Sequence, residues 1–445
     1  MFADPSSRSS QLYERACKVM VSGNTRATVF SSPYQIYAAS ASGCRIYDVD
    51  GVERIDFQNN YSVLIHGHAH PAIVHSVEEQ LGKGFCYGLA SESEISLAEL
   101  LCSRVPSFEN IRFVNSGTEA VITAIRAARA YTVRPKIAKI EGAYNGAYDF
   151  VDISIRSAPH DWRDGSNAPT GVPESRGIPE CVLSNVVVIP FNDPVTAVRI
   201  LEQHKEELAA VVVDPLPPRV GLIPATREFL EALRNFTQSN GSVLIFDEIV
   251  SFRLGYQGAQ VELGVEPDLT TIGKFVGGGF PFGAVAGKKE VMAVFDLRGA
   301  GAPLIWHGGT FNANPITMSA GLTTMQMLTP EAFTRLASLG QLARERITEE
   351  FRAAGIPGQA TGLGSLFRIH FTDRRFTNYS DFYPSPVEKK QMEWLVRYFL
   401  NHGILVSNIA LGAISTVMGE TEIQQLVDTL SAALQEMKRE HTMET

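Results

Sequence analysis

The segment DLTTIGKFVGGGFPFGAVAG, residues 268–287, holds one lysine among apolar residues and glycines. Lysines are rarely fully buried without a partner. The stem of Lys274 can snorkel and carry its amine to solvent. If the amine is desolvated instead, its pKa falls and the neutral nitrogen can attack carbonyls to form Schiff bases. Three other stretches hold matching parts. Asp247 ends the apolar run SVLIF, where a carboxylate can face a heterocyclic nitrogen and keep it protonated, or can cap a helix. In NSGTEA, Ser116, Gly117 and Thr118 open an amphipathic helix. Its first N–H groups and its dipole attract an anion and the hydroxyls add donors, although a plain N-cap looks the same. Tyr144, in EGAYNGAY, sits at a glycine-flanked strand end suited to stacking on an aromatic ring or to core packing.

A Schiff-base lysine, an acid for a pyridine nitrogen and a phosphate cradle are what an electron-sink cofactor such as pyridoxal phosphate requires of a protein. Each feature has a structural explanation by itself. Their recurrence at successive strand ends is what directs the reading to this chemistry.

The elements that must position them follow from hydrophobic patterning. The runs IRFVNS, KIAKIEGAY, VVVIPF, AAVVVDPL, SVLIFDEI, LTTIGK and FGAVAG are mostly separated by helix-length stretches. Continuous apolar strands alternating with helices predict an α/β domain, its mostly parallel sheet covered on both faces. Ligands of such sheets sit beyond the carboxyl ends of the strands. There the sequence places Asn115, Ser116, Tyr144, Asp214, Asp247 and Lys274. After GGTFNANP the texture shifts to long helices with few strands, which predicts a smaller α+β domain. The expected division is a large domain over 66–311, a C-terminal domain over 312–445, and a segment over 1–65 belonging to the small domain. The stretch GCRIYDVDGVERIDF predicts a hairpin turning at DVDG. The last helix is expected to open at Thr421, with Gln424 completing a capping box. Residues 156–180, rich in Pro and Gly, read as a lid.

Bulk properties narrow the function. A chain of 445 residues exceeds one comfortable core and predicts two or so domains. The net charge of −9 disfavours nucleic acid and anionic membranes but leaves room for a local anion pocket. Five scattered cysteines without a CxxC pair argue against a disulfide framework or zinc site and fit a reducing cytosol. No stretch reads as a signal peptide or bilayer span, so a cytoplasmic protein is expected. His66, His68 and His70 in HGHAHP suggest metal, but Pro71 begins a helix there and the structural reading is preferred. Gly277, Gly278 and Gly279 lack the GK[ST] of a phosphate loop and read as backbone clearance beside the cofactor. The stretch TDRRFTNYSDFYPSP, 372–386, reads as an exposed loop.

The motifs NSGTEAVITAIRAARAYT, DEIVSFRLGYQGAQVELGVEPDLTTIGKFVGGGFPFGAVAG and HGGTFNANPITMSAG resemble those of class III, fold-type I pyridoxal phosphate aminotransferases. GHAHPAIVHSV and TGLGSLFRIHF extend the likeness over nearly the whole chain. Within the family it looks like the branch of glutamate-1-semialdehyde 2,1-aminomutases and β-amino-acid aminotransferases. The resemblance implies a large domain with a mostly parallel seven-stranded sheet. It implies that Lys274 forms a Schiff base with pyridoxal 5'-phosphate, that Asp247 pairs with the pyridinium, and that Ser116, Gly117 and Thr118 hold the phosphate. Tyr144 and Ile249 would sandwich the ring. Thr310 would reach the phosphate of the other subunit, so a homodimer is implied. Arg26, in MVSGNTRATVF, corresponds to an arginine that binds the substrate carboxylate in this branch, a task suited to its planar fork.

Three departures bear on the substrate. LVSNIALGAIST lacks the second arginine of many class III transaminases and the acidic residue usual in aminomutases. Its apolar character points to a hydrophobic side chain. DPLPPRVGLIP brings Arg219 where relatives have small or amide residues, and it could meet the cofactor's phenolic oxygen, a substrate carboxylate or solvent. The leading expectation is an aminotransferase moving an amino group from a hydrophobic amine or β-amino acid to a keto acceptor. An aminomutase is the alternative. A non-catalytic binding module is disfavoured by the retained Lys274, Asp247 and phosphate cradle.

Overall fold

The computed structural model describes residues 4–158, 168–298 and 302–443. The chain forms two compact units: Met1–Pro71, Arg335–Arg374 and Pro384–Thr445 make the first, and Ala72–Thr334 with Arg375–Tyr383 make the second. Its early strands are β1 (Ala38–Ser42), β2 (Arg45–Asp48) and β3 (Glu53–Asp56). The middle supplies β4 (Asn110–Val114), β5 (Lys136–Ile140), β6 (Val186–Ile189), β7 (Leu208–Val213), β8 (Val243–Asp247), β9 (Leu269–Gly273) and β10 (Gly283–Gly287). The last part adds β11 (Gln359–Thr361), β12 (Leu366–His370), β13 (Ile404–Leu405) and β14 (Leu411–Ala413).

The second unit is built on a seven-stranded sheet in the order β4-β10-β9-β8-β7-β5-β6. Only β10 runs against the other six, pairing antiparallel with both β4 and β9. Strand β7, LAAVVV, shows why these segments read as unbroken apolar runs. Ala210 and Val212 pack on one side with Val121, Ile125 and Ala128 of the helix Gly117–Thr132. Val211 and Val213 pack on the other with Phe229, Leu230 and Leu233 of the helix Arg227–Asn240. With both faces covered there is no polar alternation to see. Each fully buried Val, Ile or Leu contributes roughly 1.5–3 kcal/mol. Helix starts after the strands are set by short polar caps: Ser116 accepts from Glu119, Asp193 from Thr196, and Thr226 from Phe229.

Two segments differ from expectation. Helix Pro315–Met327, expected to open the C-terminal domain, lies in the second unit. Small residues permit this: a Cβ at Gly321 would meet the Val276 carbonyl at 2.5 Å, and one at Gly278 (φ +63) the Ala320 carbonyl at 2.5 Å. The clearance at Gly278 therefore admits a helix. The 372–386 stretch is not simply an exposed loop either. Phe376, Tyr379 and Phe382 are buried, Phe376 and Phe382 closing on Gly221 and Tyr379 on Gly142.

The first unit holds two small sheets, β1-β2-β3-β13 and β11-β12-β14. The DVDG hairpin joins β2 to β3. Asp48 Oδ1 accepts from the N–H groups of Asp50 and Val52 at 2.9 and 2.8 Å, and Gly51 supplies φ +83. The last helix starts at Glu420 rather than Thr421, and the Gly419 N–H donates to the Glu422 carboxylate at 2.8 Å. A full capping box stands elsewhere, with Ser385 and Glu388 opening helix Pro386–Asn401. His68 Nε2 lies 2.7 Å from Asp56 Oδ2, and His66 Nδ1 lies 2.9 Å from Thr416 Oγ1. Among the described residues, no helix is long and apolar enough to cross a membrane.

Residues 159–167 of the expected lid lie outside the described residues. Its flanks bond back to the strand-like segment before it. The Val172 N–H donates to Ser154 Oγ at 2.9 Å, and Arg156 pairs with Glu174 at 2.8 Å.

Candidate active site

The sheet order sets β9, β8 and β7 side by side, so Lys274, Asp247 and Asp214 stand at the carboxyl ends of neighbouring strands. Lys274 directly follows β9, where the chain reverses into β10 with Gly273 opposite Gly283. The reversal holds Lys274 at φ +52, a left-handed conformation that costs a non-glycine residue roughly 1–2 kcal/mol. Such strain persists only where surrounding structure imposes it. The side chain is half-buried, and burial pushes its pKa below the ordinary lysine value, with Asp247 and Asp214 opposing. Among the described residues its amine has no hydrogen bond or ion pair. A desolvated, uncommitted amine is suited to attack on an aldehyde.

Asp247 is 3% exposed and accepts three hydrogen bonds. Asn145 Nδ2 donates to its Oδ2 at 2.8 Å. Thr271 Oγ1 and the Ile249 N–H donate to its Oδ1 at 3.1 and 3.2 Å. Burial pushes its pKa up and the three donors pull it down. Asp214, equally buried, is pushed well above the carboxylate range by burial and then by the charge of Asp247. Among the described residues, the hydrogen bond that opposes this comes from the Leu216 N–H, at 2.9 Å. Of the pair, Asp214 takes the proton and Asp247 keeps the negative charge, because the donors favour the ionised form there.

Ser116 caps the helix Gly117–Thr132, its Oγ accepting from the Glu119 N–H at 3.2 Å. The N–H groups of Gly117 and Thr118 open that helix, where no in-helix carbonyl can serve them. Ile249 packs between this start and β9, the strand that precedes Lys274. A Cβ at Gly117 or at Gly273 would come within 3.0 Å of Ile249 Cδ1. Tyr144 stands in the loop after β5, 49% exposed. Its neighbours tie it in: Asn145 to Asp247, and Ala147, whose N–H donates to Thr118 Oγ1 at 3.2 Å. The structure thus brings Lys274, Asp247, Ile249, Ser116, Gly117, Thr118 and Tyr144 to one end of one sheet.

Two further expected residues stand on other segments. Thr310 is exposed, on a loop anchored by Arg112 Nε donating to His307 Nδ1 at 3.1 Å and Asn115 Nδ2 donating to Asn312 Oδ1 at 2.9 Å. Arg26 belongs to the first unit, where its Nη2 donates to Asn60 Oδ1 at 2.9 Å. Asn60 lies in a turn, Asn59–Ser62, whose four residues all have positive φ.

Sequence reasoning passed over Asn145 and Thr271. The available signal was a polar residue inside a run otherwise patterned for burial, since a buried polar group needs a partner. Thr271 in LTTIG and Lys139 in KIAKI both carry it.

Residues 28–434 match the family described as Aminotransferase class-III. The chain belongs to the class III aminotransferases. A curated relative, the glutamate-1-semialdehyde 2,1-aminomutase of Methanococcus maripaludis, is 38% identical over 405 residues, covering 90% of this chain and 91% of its own. The crystal structure of an omega-transaminase from Sphaerobacter thermophilus is 50% identical, with a TM-score of 0.95 over 97% of this chain and 98% of that one. A transaminase with PLP bound is 45% identical, with a TM-score of 0.90 over 97% and 98%. This class III aminotransferase therefore has the fold-type I architecture, and pyridoxal 5'-phosphate is its cofactor. The residues present fit that group: an uncommitted amine for its aldehyde, a thrice-donated carboxylate for its ring nitrogen and helix-start N–H groups, without a partner among the described residues, for its phosphate.

Proposed function

We propose that this class III aminotransferase moves an amino group from a hydrophobic amine or a β-amino acid to a keto acceptor. The observation that carries the reading is the uncommitted amine of Lys274 beside the strand that ends in Asp247. When bound, the cofactor supplies the aldehyde for amine exchange and a cationic ring that takes up the electrons of a broken C–H bond. Lys274 anchors it between turnovers. Once released, its Nζ takes the proton from the substrate carbon and returns it, a relay worth roughly 10²–10⁴-fold. Asp247, kept ionised by Asn145, Thr271 and Ile249, holds the proton on the ring nitrogen. Ser116, Gly117 and Thr118 would hold the phosphate, and Tyr144 and Ile249 would pack against the ring.

Arg26 takes the carboxylate of a β-amino-acid donor, and the apolar NIALGA stretch suits a hydrophobic side chain. Thr310 reaches the phosphate held by a second copy, so the working enzyme is a homodimer. Its exposure, and that of Trp306 (77%) and Phe311 (59%) on the same loop, supports this.

The test is to mix the purified enzyme with α-amino acids, β-amino acids and simple amines, one at a time, and follow the visible cofactor absorbance. Hydrophobic amines or β-amino acids should convert the enzyme to its aminated form, which persists until a keto acid is added. Reaction with glutamate-1-semialdehyde or a diamine relative alone, completed without a second substrate, replaces this reading with an aminomutase, the activity named for the Methanococcus relative.

A further inference from the structure

Strand β5 carries a lysine that the chemistry above does not use. Ala138 and Ile140 pack with Phe229 and Leu233, and Ile137 packs on the other face with Val121 and Ile125. By alternation Lys139 shares the face of Ile137, and its strand neighbours are Val188 and Val212. Lysines are almost never fully buried unless paired, yet Lys139 is fully buried. Its Nζ donates to the carbonyls of Ile153, Ile140 and Ala143 at 2.7, 3.0 and 3.1 Å. An ammonium has three donors and no acceptor, so these carbonyls use all of them.

The three carbonyls belong to segments that meet behind the candidate active site. Ile140 ends β5. Ala143 directly precedes Tyr144 and Asn145, and the Asn145 amide donates to Asp247 at 2.8 Å. Ile153 lies in the segment that returns past this turn, where the Gly142 N–H donates to the Ser154 carbonyl at 2.7 Å. That segment in turn pairs with the chain at 172–174: Ser154 donates to the Val172 carbonyl and Glu174 to the Asp152 carbonyl, at 2.7 and 3.0 Å. Ser154 sits at φ +51, a conformation that a non-glycine residue keeps only where its surroundings impose it. Lys139 is thus the junction of β5, the Tyr144 turn and the returning segment.

Burial lowers the Lys139 pKa to about 7, against the charges of Glu141 in the turn and of Glu174 and Asp152 on the paired segments. The helix on this face, Gly117–Thr132, brings Val121, Ala124 and Ile125. A neutral amine has two N–H groups for three carbonyls, so one contact is lost when the proton leaves.

We propose that Lys139 is a positioning residue for the cofactor site: its ammonium pins the turn that carries Tyr144 and Asn145, and so holds the Asn145 amide on Asp247. The role goes beyond the donor reading and is independent of it.

The test uses the holoenzyme with Lys139→Met, with Asn145→Ala and with both, and the donor that aminates the wild-type cofactor fastest. Lys139→Met should lower kcat about 10-fold on the acid side, move the acid limb of the kcat profile to higher pH and weaken the visible circular dichroism of the bound cofactor. Asn145→Ala should do the same. The double variant should lose no more than the worse single variant, because both act through one contact. Lys139→Gln, with two donors on its amide, should fall between wild type and Lys139→Met, and it carries the comparison if Lys139→Met does not fold. In the cofactor-free protein, the Gly142 amide should exchange with deuterium about 10-fold faster in Lys139→Met. Arg134→Met takes a comparable cation off the Leu208 and Asn240 carbonyls. It should lower the urea midpoint with none of the other changes. Losses that multiply in the double variant, an unmoved acid limb, or the same pattern in Arg134→Met would each overturn the proposal. The dichroism and the exchange need no substrate, so they read the positioning even where no hydrophobic amine or β-amino acid reacts, a result that sinks the donor reading alone.

Discussion

The Asn145 side chain donates to Asp247 Oδ2 at 2.8 Å, tying the residue after Tyr144 to the carboxylate at the end of β8. The same bond helps to keep Asp247 ionised against its burial. Asn145→Ala should raise the Asp247 pKa, so the acid limb of the kcat profile moves to higher pH. Activity should fall by about 10-fold on the acid side and recover toward the alkaline side. A uniform loss at every pH would leave Asn145 a purely structural role.

Two lysines in the second unit have lowered pKa values, and they differ in engagement. Lys139 is fully buried and donates to the carbonyls of Ile140, Ala143 and Ile153 at 3.0, 3.1 and 2.7 Å. Lys274 has no such bonds. Borohydride treatment of the holoenzyme, followed by peptide mass analysis, should fix the cofactor to Lys274 and leave Lys139 unmodified. Lys274→Ala should lose at least the roughly 10²–10⁴-fold of a proton relay. Label on Lys139 would remove Lys274 from the chemistry.

Burial lowers the Lys139 pKa to about 7. The unfolded chain holds that proton up to the ordinary lysine value of about 10.4, so between these values it binds more protons than the fold does. Stability from this group therefore rises with pH from about 7 to about 10, and its burial penalty is complete below about 7. Lys139→Met should flatten the rise in urea midpoint over that window. Parallel curves for the two proteins would sink the assignment.

For Arg26→Ala, carboxylate-bearing donors should lose about 10–100-fold in kcat/KM, since hydrogen bonds to charged groups contribute about 1.5–3 kcal/mol. Plain amines should change little. Equal losses for both donor classes take Arg26 out of substrate recognition.

Thr310→Ala should weaken cofactor retention by about 10-fold while the far-ultraviolet circular dichroism stays unchanged. Equilibrium dialysis over a range of protein concentrations checks this, because a site completed by a second copy loses its cofactor on dilution. Retention that is independent of both the substitution and the concentration counts against a shared site.

Much of the site was legible because its parts are local. An amine after an apolar strand, a carboxylate at a strand end and Ser-Gly-Thr at a helix start each follow from patterning over a few residues. What escaped was set by packing between distant segments. Phe376, Tyr379 and Phe382 look like parts of a polar loop, yet Gly142 and Gly221 make room for them more than 150 residues upstream. Helix Pro315–Met327 joins the large unit because glycine on each side lets backbone meet backbone.

By itself the sequence determined the alternation of strands and helices, the caps and the types of reactive group, since these depend on side-chain periodicity and neighbours along the chain. Only the tertiary structure decided which groups meet. The order of β9, β8 and β7 sets an uncommitted amine beside two buried carboxylates, and one of those is held charged by an amide from beyond β5. That sorting of charge comes from burial and hydrogen bonding in three dimensions, which spacing along a chain does not encode.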